Sequence, residues 1–147
     1  MKSTLADKHK IAIEYIETSI RLFDEEVFYS SLHLAGAAEQ IFHDTLLHRG
    51  VEPTKAKDAR LAKTLEVLYS GNHPSKASIE KVMDHSKNSI KHVKRGDDYI
   101  YEVSMRPNID AFRMIRHAIK NAKLCNISMG SGINSFMNRN ELDFHNA

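Results

Sequence analysis

Apolar residues recur every three or four positions along most of the chain, a spacing that places them on one face of an α-helix. In the first stripe, Ile13, Ile16 and Ile20 are interrupted by charged residues that fall on the opposite side. The pattern predicts five helices, which cover about residues 5–24, 25–50, the stretch between Pro53 and Ser70, 75–95, and the stretch from Pro107 to Cys125. Residues 97–106 break the pattern and predict an extended loop.

Helices of this length joined by short connections favour antiparallel neighbours. We therefore predict an all-α fold, an up-and-down bundle of about five helices, over residues 1–127. Gly36 lies inside the second predicted helix, where glycine costs roughly 1 kcal/mol relative to alanine, and so predicts close contact with a neighbouring helix. Residues 128–147 form a separate C-terminal tail in this prediction. Its Phe136 and Phe144 indicate that the tail packs against another surface, with a second subunit as one candidate.

The composition is that of one domain with an ordinary core. The 147 residues are 41% hydrophobic and include a single cysteine, Cys125, which excludes an internal disulfide and a thiolate zinc site. Cys125 falls on the apolar stripe of the fifth helix and is expected to be a small core residue. No stretch approaches the roughly 18 apolar residues of a membrane span, and the N-terminus lacks an apolar signal core. We expect a cytoplasmic protein without a membrane partner.

The fourth predicted helix carries the most informative polar pattern. At 100° per residue, His85, Asn88 and His92 fall on one of its faces. Imidazole, amide and ammonium groups on one face are suited to hold a phosphodiester and to transfer a proton near neutral pH. The alternative is a solvated helix whose C-terminal cations complement the helix dipole. The predicted phosphate contacts in this segment are Lys87, Lys91, Lys94 and Arg95.

A second basic ridge follows on the fifth helix. Arg113, Arg116, His117 and Lys120 recur at helical spacing, and with the fourth helix they would line one positively charged groove. The net charge is only +2, but residues 51–147 hold sixteen Lys or Arg against eleven acids, whereas residues 1–50 hold five against eight. This asymmetry favours an anionic partner such as RNA or a nucleotide. It is equally typical of a surface whose charges only maintain solubility.

Two segments resemble the HEPN (higher eukaryotes and prokaryotes nucleotide-binding) domains. Residues 87–92, KNSIKH, are similar to the family motif of an Arg, a polar residue, three variable residues and a His near the end of a late helix. Asn88 and His92 match this motif, whereas Lys87 stands where the family has Arg. The small-residue stretch 31–39, which ends in Glu39, resembles the family's second helix. The resemblance spans about residues 5–127.

The resemblance implies a homodimer in which the motif residues of two protomers form a metal-independent RNA-cleaving site. The ribose 2′-hydroxyl would attack the neighbouring phosphate with His92 as acid or base, Asn88 would orient the group, and Lys87 would contact the phosphate. Lysine lacks the planar, two-pronged donor geometry of arginine. The site therefore either uses Lys87 as a weaker clamp or has lost cleavage and retained binding.

Other chemistries have less support in the sequence. Carboxylate-bridged di-metal bundles use Glu-x-x-His pairs on two helices, and the chain contains no such pair, so we predict neither a metal nor a cofactor. Glu39 is expected instead to accept hydrogen bonds near the bundle interior. Gly130 and Gly132 are interpreted as a linker, because they lack the lysine and the strand-to-helix context of a phosphate-binding loop. The alternative function is a non-enzymatic, dimeric module that binds a protein partner through a helical face and the tail.

Overall fold

A computed structural model describes residues 5–92 and 102–144 of the chain. The described residues are α-helical throughout apart from turns and loops, which confirms the all-α prediction. The helices are α1 Lys8–Asp24, α2 Phe28–His48, α3 Thr54–Ser70, α4 Lys76–Met83, α5 His85–Ser89, α6 Pro107–Leu124, α7 Ser131–Arg139 and α8 Glu141–Phe144. None of these helices is long and apolar enough to cross a membrane.

Helices α1, α2 and α6 form the core of the bundle. Asp7 caps α1 by accepting hydrogen bonds from the backbone N–H groups of His9 and Lys10, and Pro107 occupies the first turn of α6. The apolar faces of the three helices meet, because each has an apolar stripe of helical period. Fully buried members of this core are Ile16, Leu32, Phe42, Leu46, Ile115 and Ile119. Three of the five predicted helices thus supply most of the core.

The predicted fourth helix is not continuous. A turn at Asp84 separates α4 from α5, and α5 ends at Ser89, with Lys91 in a turn and His92 outside any helix. The Asp84 carboxylate lies 2.8 Å from Lys55 Nζ and 3.2 Å from Lys87 Nζ, so the turn is stabilised by ion pairs to α3 and α5. Residues 93–95 of that predicted helix, and 97–101 of the predicted loop, lie outside the described residues, while residues 102–106 are non-helical as predicted.

The C-terminal tail packs on its own bundle. Ile133, Phe136 and Phe144 are buried in the same apolar cluster as α1, α2 and α6. Arg139 donates to the Asp24 carboxylate through two bonds of 3.1 and 3.0 Å. Gly130, interpreted as a linker, lies against α1 at the start of α7, where a Cβ would be 2.5 Å from Glu17 Oε1. The expectation that the tail packs is confirmed, and the surface it packs on is α1 and α6 of the same chain.

Candidate functional site

The motif segment lies at the end of α5, against the middle of α2. Asn88 is exposed on α5, and Lys91 and His92 are exposed just beyond it. The prediction that His85, Asn88 and His92 share one helix face is wrong, because the helix ends before His92. Lys91 instead lies in a turn in which its N–H donates to the Asn88 carbonyl at 3.1 Å, and His92 follows this turn.

Lys87, the residue at the motif arginine position, points inward. Its side chain is only 5% exposed, and its Nζ lies 3.1 Å from Glu39 Oε2 and 3.2 Å from Asp84 Oδ1. Nζ also donates to Gln40 Oε1 at 3.2 Å. The ammonium therefore donates hydrogen bonds to Glu39 and Gln40 and is ion-paired with Asp84, and in this arrangement it is not presented to a phosphate in solution.

The close approach of Lys87 to α2 depends on Gly36. A Cβ at position 36 would lie 2.6 Å from Lys87 Cγ and 2.8 Å from Cδ, closer than carbon atoms pack. The prediction that Gly36 permits a close contact is thus confirmed. The group that it admits is the aliphatic stem of Lys87, which lies along α2 while Nζ reaches Glu39.

Lys87 belongs to a group of two carboxylates and two ammonium groups whose charges neutralise one another. We call this group the buried ion cluster, and its members are Glu39, Asp84, Lys55 and Lys87. Burial, the largest influence, raises the pKa of Glu39, but the neighbouring His43 and the charges of Lys87 and Lys55 outweigh it and lower that pKa to about 2. Burial likewise lowers the pKa of Lys87, but its two carboxylate partners outweigh burial and raise it. Glu39 and Lys87 are therefore both charged at neutral pH.

The expected role of Glu39 as an interior hydrogen-bond acceptor is confirmed. Its side chain is fully buried and accepts from Lys87 through Oε2. The other oxygen, Oε1, lies 3.4 Å from His43 Nδ1, and neither of these buried atoms has a closer partner. That distance is long for a hydrogen bond, so the pair is a weak contact whose strength depends on a proton on His43 Nδ1.

The basic residues of α6 are also engaged within the chain. Arg113 donates to Asp110 and to the Met83 carbonyl, and Arg116 donates to Asp58 and to the Asp143 carbonyl. His117 is buried with Nε2 2.9 Å from Asp58 Oδ2, and Lys120 is 5% exposed. Burial raises the pKa of Asp58, but hydrogen bonds and charges from His117 and Arg116 lower it to about 2. The second predicted ridge is therefore mainly an internal ion-pair network.

At the end of α5, the described side chains of the motif that face solvent are those of Asn88, Lys91 and His92. Partial burial and repulsion from Lys87 lower the pKa of Lys91, and the negative charge of Glu39 offsets part of this shift. Beside it lies a shallow depression that the sequence reasoning missed. It is lined by Tyr29, Ser30, His33 and Leu34 of α2 and by Ile90. The four-residue spacing of Tyr29 and His33 was the signal that could have placed both on one helix face. The remaining predicted contacts, Lys94 and Arg95, lie outside the described residues.

Cys125 is buried in the core, where burial raises the pKa of its thiol, as expected of a packing residue. Within residues 5–92 and 102–144, no three His, Cys, Asp or Glu side chains are grouped to hold a metal ion.

Comparison of the chain with protein-family models, with curated proteins and with solved structures finds no match. The HEPN resemblance therefore rests on the residues quoted above.

Proposed function

We propose that this chain is a HEPN-like domain that binds RNA through the phosphates, using the exposed end of α5, and that it lacks cleavage activity of its own. The observation that carries the proposal is the position of Lys91, His92 and Asn88, which are exposed together directly beyond the inward-pointing Lys87. An ammonium, an imidazole and an amide supply hydrogen-bond donors, and phosphate oxygens accept hydrogen bonds from such groups. The buried ion cluster holds this turn against α2.

The loss of cleavage follows from the position of Lys87. In the family motif the first residue is an arginine that grips phosphate, whereas the Lys87 ammonium is held by Glu39, Asp84 and Gln40. Moving it to a phosphate would leave two buried carboxylates with fewer partners, which costs several kcal/mol. Cleavage also requires a base that takes the ribose 2′-hydroxyl proton and an acid that protonates the departing 5′-oxygen, and the His92 of one protomer can serve as only one of them. Phosphate binding therefore falls to Lys91 and His92.

The test is binding and cleavage of a labelled single-stranded RNA by the full chain and by His92→Ala and Lys91→Ala. We expect salt-dependent binding by the wild type, a drop of about one in the salt slope for Lys91→Ala, and no cleavage by any of the proteins. Lys63→Ala, an exposed lysine on α3, is the matched control and should bind as the wild type does. Cleavage by the wild type that disappears in His92→Ala would show an active nuclease instead.

The Lys87→Arg variant tests whether position 87 belongs to a cleavage site that has lost its arginine or has a structural role. We expect no gain of cleavage, because a guanidinium at this position would face the same Glu39 and Asp84 carboxylates. RNA cleavage that appears in Lys87→Arg and is abolished by adding His92→Ala would contradict the structural role of Lys87.

The exposed leucines of α3 favour a second candidate function, that of a homodimeric interaction module. Leu61, Leu65 and Leu68 follow a four-three spacing on one face of this helix and are exposed, with Leu68 at 73%. This is the spacing of a coiled-coil seam, which pairs two identical helices. For this function we infer that two copies of the chain meet through α3. Analytical ultracentrifugation should show a dimer that Leu65→Lys dissociates, whereas a monomeric wild type at high concentration would rule this pairing out.

A further inference from the structure

The depression beside the end of α5 is lined by both apolar and aromatic side chains. Leu34 and Ile90 are partly buried, while Tyr29 is 57% exposed and His33 and Ser30 are exposed. Its walls come from two elements, the first half of α2 and the residue that ends α5. Two flat rings and two aliphatic side chains form a surface on which a planar group can stack.

The depression is continuous with the proposed phosphate contacts. Lys91 follows Ile90 directly in the chain, ~3.8 Å away at the Cα atoms, and His92 follows Lys91. A ligand that places a planar apolar face on Tyr29 and Ile90 therefore has its charged part within reach of an ammonium and an imidazole. A nucleotide combines such a face with such a charge.

The exposed position of the depression also favours a single-stranded over a double-stranded nucleic acid. Bases inside a duplex are covered on both faces by their neighbours, so they cannot stack on a protein side chain unless they are unstacked. Single strands offer each base to aromatic platforms, and stacking of this kind tolerates any base. The depression is shallow, and the polar groups of its lining side chains are the hydroxyls of Tyr29 and Ser30 and the imidazole of His33, so it has few groups with which to read the base edge.

We propose that this depression holds one unstacked base of single-stranded RNA, with Tyr29 as the stacking platform and the adjoining phosphate on Lys91 and His92. This inference rests on the proposed RNA binding and adds to it the class of substrate, a single strand. Tyr29 acts through its ring, so its hydroxyl is dispensable.

The experiment measures fluorescence anisotropy of a labelled RNA oligonucleotide with the full chain. Tyr29→Ala should weaken binding about 5- to 100-fold, the range found when stacked aromatic residues are truncated, and Tyr29→Phe should bind as the wild type does. Tyr69→Ala is the matched control, since Tyr69 is a more exposed tyrosine on α3 and should contribute nothing. The same oligonucleotide with abasic sites should bind the wild type as weakly as the intact oligonucleotide binds Tyr29→Ala.

Three results would overturn the proposal. Two of them would remove the base site alone, and the third would also remove the RNA binding on which the base site rests. If Tyr29→Ala binds like the wild type while Lys91→Ala binds weakly, phosphate recognition stands and the base site does not. Equal affinity for a duplex and a single strand of the same length would have the same meaning. Absence of RNA binding by the wild type at low salt would remove both the base site and the function on which it rests.

Discussion

The core helices and the α3–α5 segment are held by different forces. Helices α1, α2 and α6 meet through fully buried apolar side chains such as Ile16, Phe42 and Ile115. The segment from α3 to α5, residues 54–89, is joined to them largely through polar contacts. Examples are the Lys87–Glu39 pair, the Arg116–Asp58 pair and the hydrogen bond from the Thr54 N–H to Asn121 Oδ1 at 2.9 Å. The core should therefore tolerate changes of charge and pH, and the α3–α5 segment should not.

The largest expected effect is loss of apolar volume from the core. Phe42→Ala removes a ring that is fully buried between α1, α2 and α6, and should lower the free energy of unfolding by about 4 kcal/mol. Urea unfolding followed by circular dichroism measures it. Leu68→Ala, on the exposed face of α3, is the control and should change stability by less than about 0.5 kcal/mol. Equal costs at the two positions would contradict the division into core and segment.

Breaking the buried ion cluster should cost slightly less. Lys87→Met removes the ammonium that pairs with the buried Glu39 carboxylate, and should destabilise the protein by about 3 kcal/mol. Replacing both partners, as in Glu39→Met with Lys87→Met, removes both charges and should recover part of this loss. Urea titrations of the single and double variants measure the coupling. Additive losses would indicate that the two side chains do not interact.

Acid should weaken the cluster before it affects the core. The pKa of Glu39 falls from its usual 4.5 to about 2 in the folded protein, so its stabilising contribution is complete above about pH 4.5. That contribution is lost as the pH falls from about 4.5 to about 2, because protonation ends the ion pair with Lys87. Glu39→Gln lacks this ionisation and should be less stable than the wild type at pH 7.

The pH series gives a direct comparison of the two regions. The difference in stability between the wild type and Glu39→Gln should shrink as the pH is lowered below about 4.5. The difference between the wild type and Phe42→Ala should stay nearly constant over the same range, since no charge is changed. A Glu39→Gln difference that is independent of pH would show that the pKa of Glu39 is the same in the folded and the unfolded protein.

Local spacing was sufficient to predict the core but not the site. The stripes containing Ile16 and Ile115 predicted their helices and buried faces, because burial of one face imposes a period on the sequence. The break at Asp84 was missed, since it is stabilised by Lys55, 29 residues away in the chain. The same limit applies to Lys87, whose inward orientation depends on the α2 residues Gly36 and Glu39. Charge and spacing identified Asp84, Lys87 and Glu39 as polar residues, but they did not show which residues would contact them.

The smallest and sharpest effect is expected at Gly36, where the core and the ion cluster meet. Gly36→Ala would gain about 1 kcal/mol of helix propensity but would place a methyl group 2.6 Å from Lys87 Cγ, so the net result should be a loss of about 1 kcal/mol. In a Lys87→Ala background the obstructing atoms are gone, and the same substitution should become stabilising. This reversal of sign, measured by urea unfolding of the four proteins, would locate the requirement for glycine in the Lys87 side chain. A loss of the same size in both backgrounds would place the requirement in the α2 backbone instead.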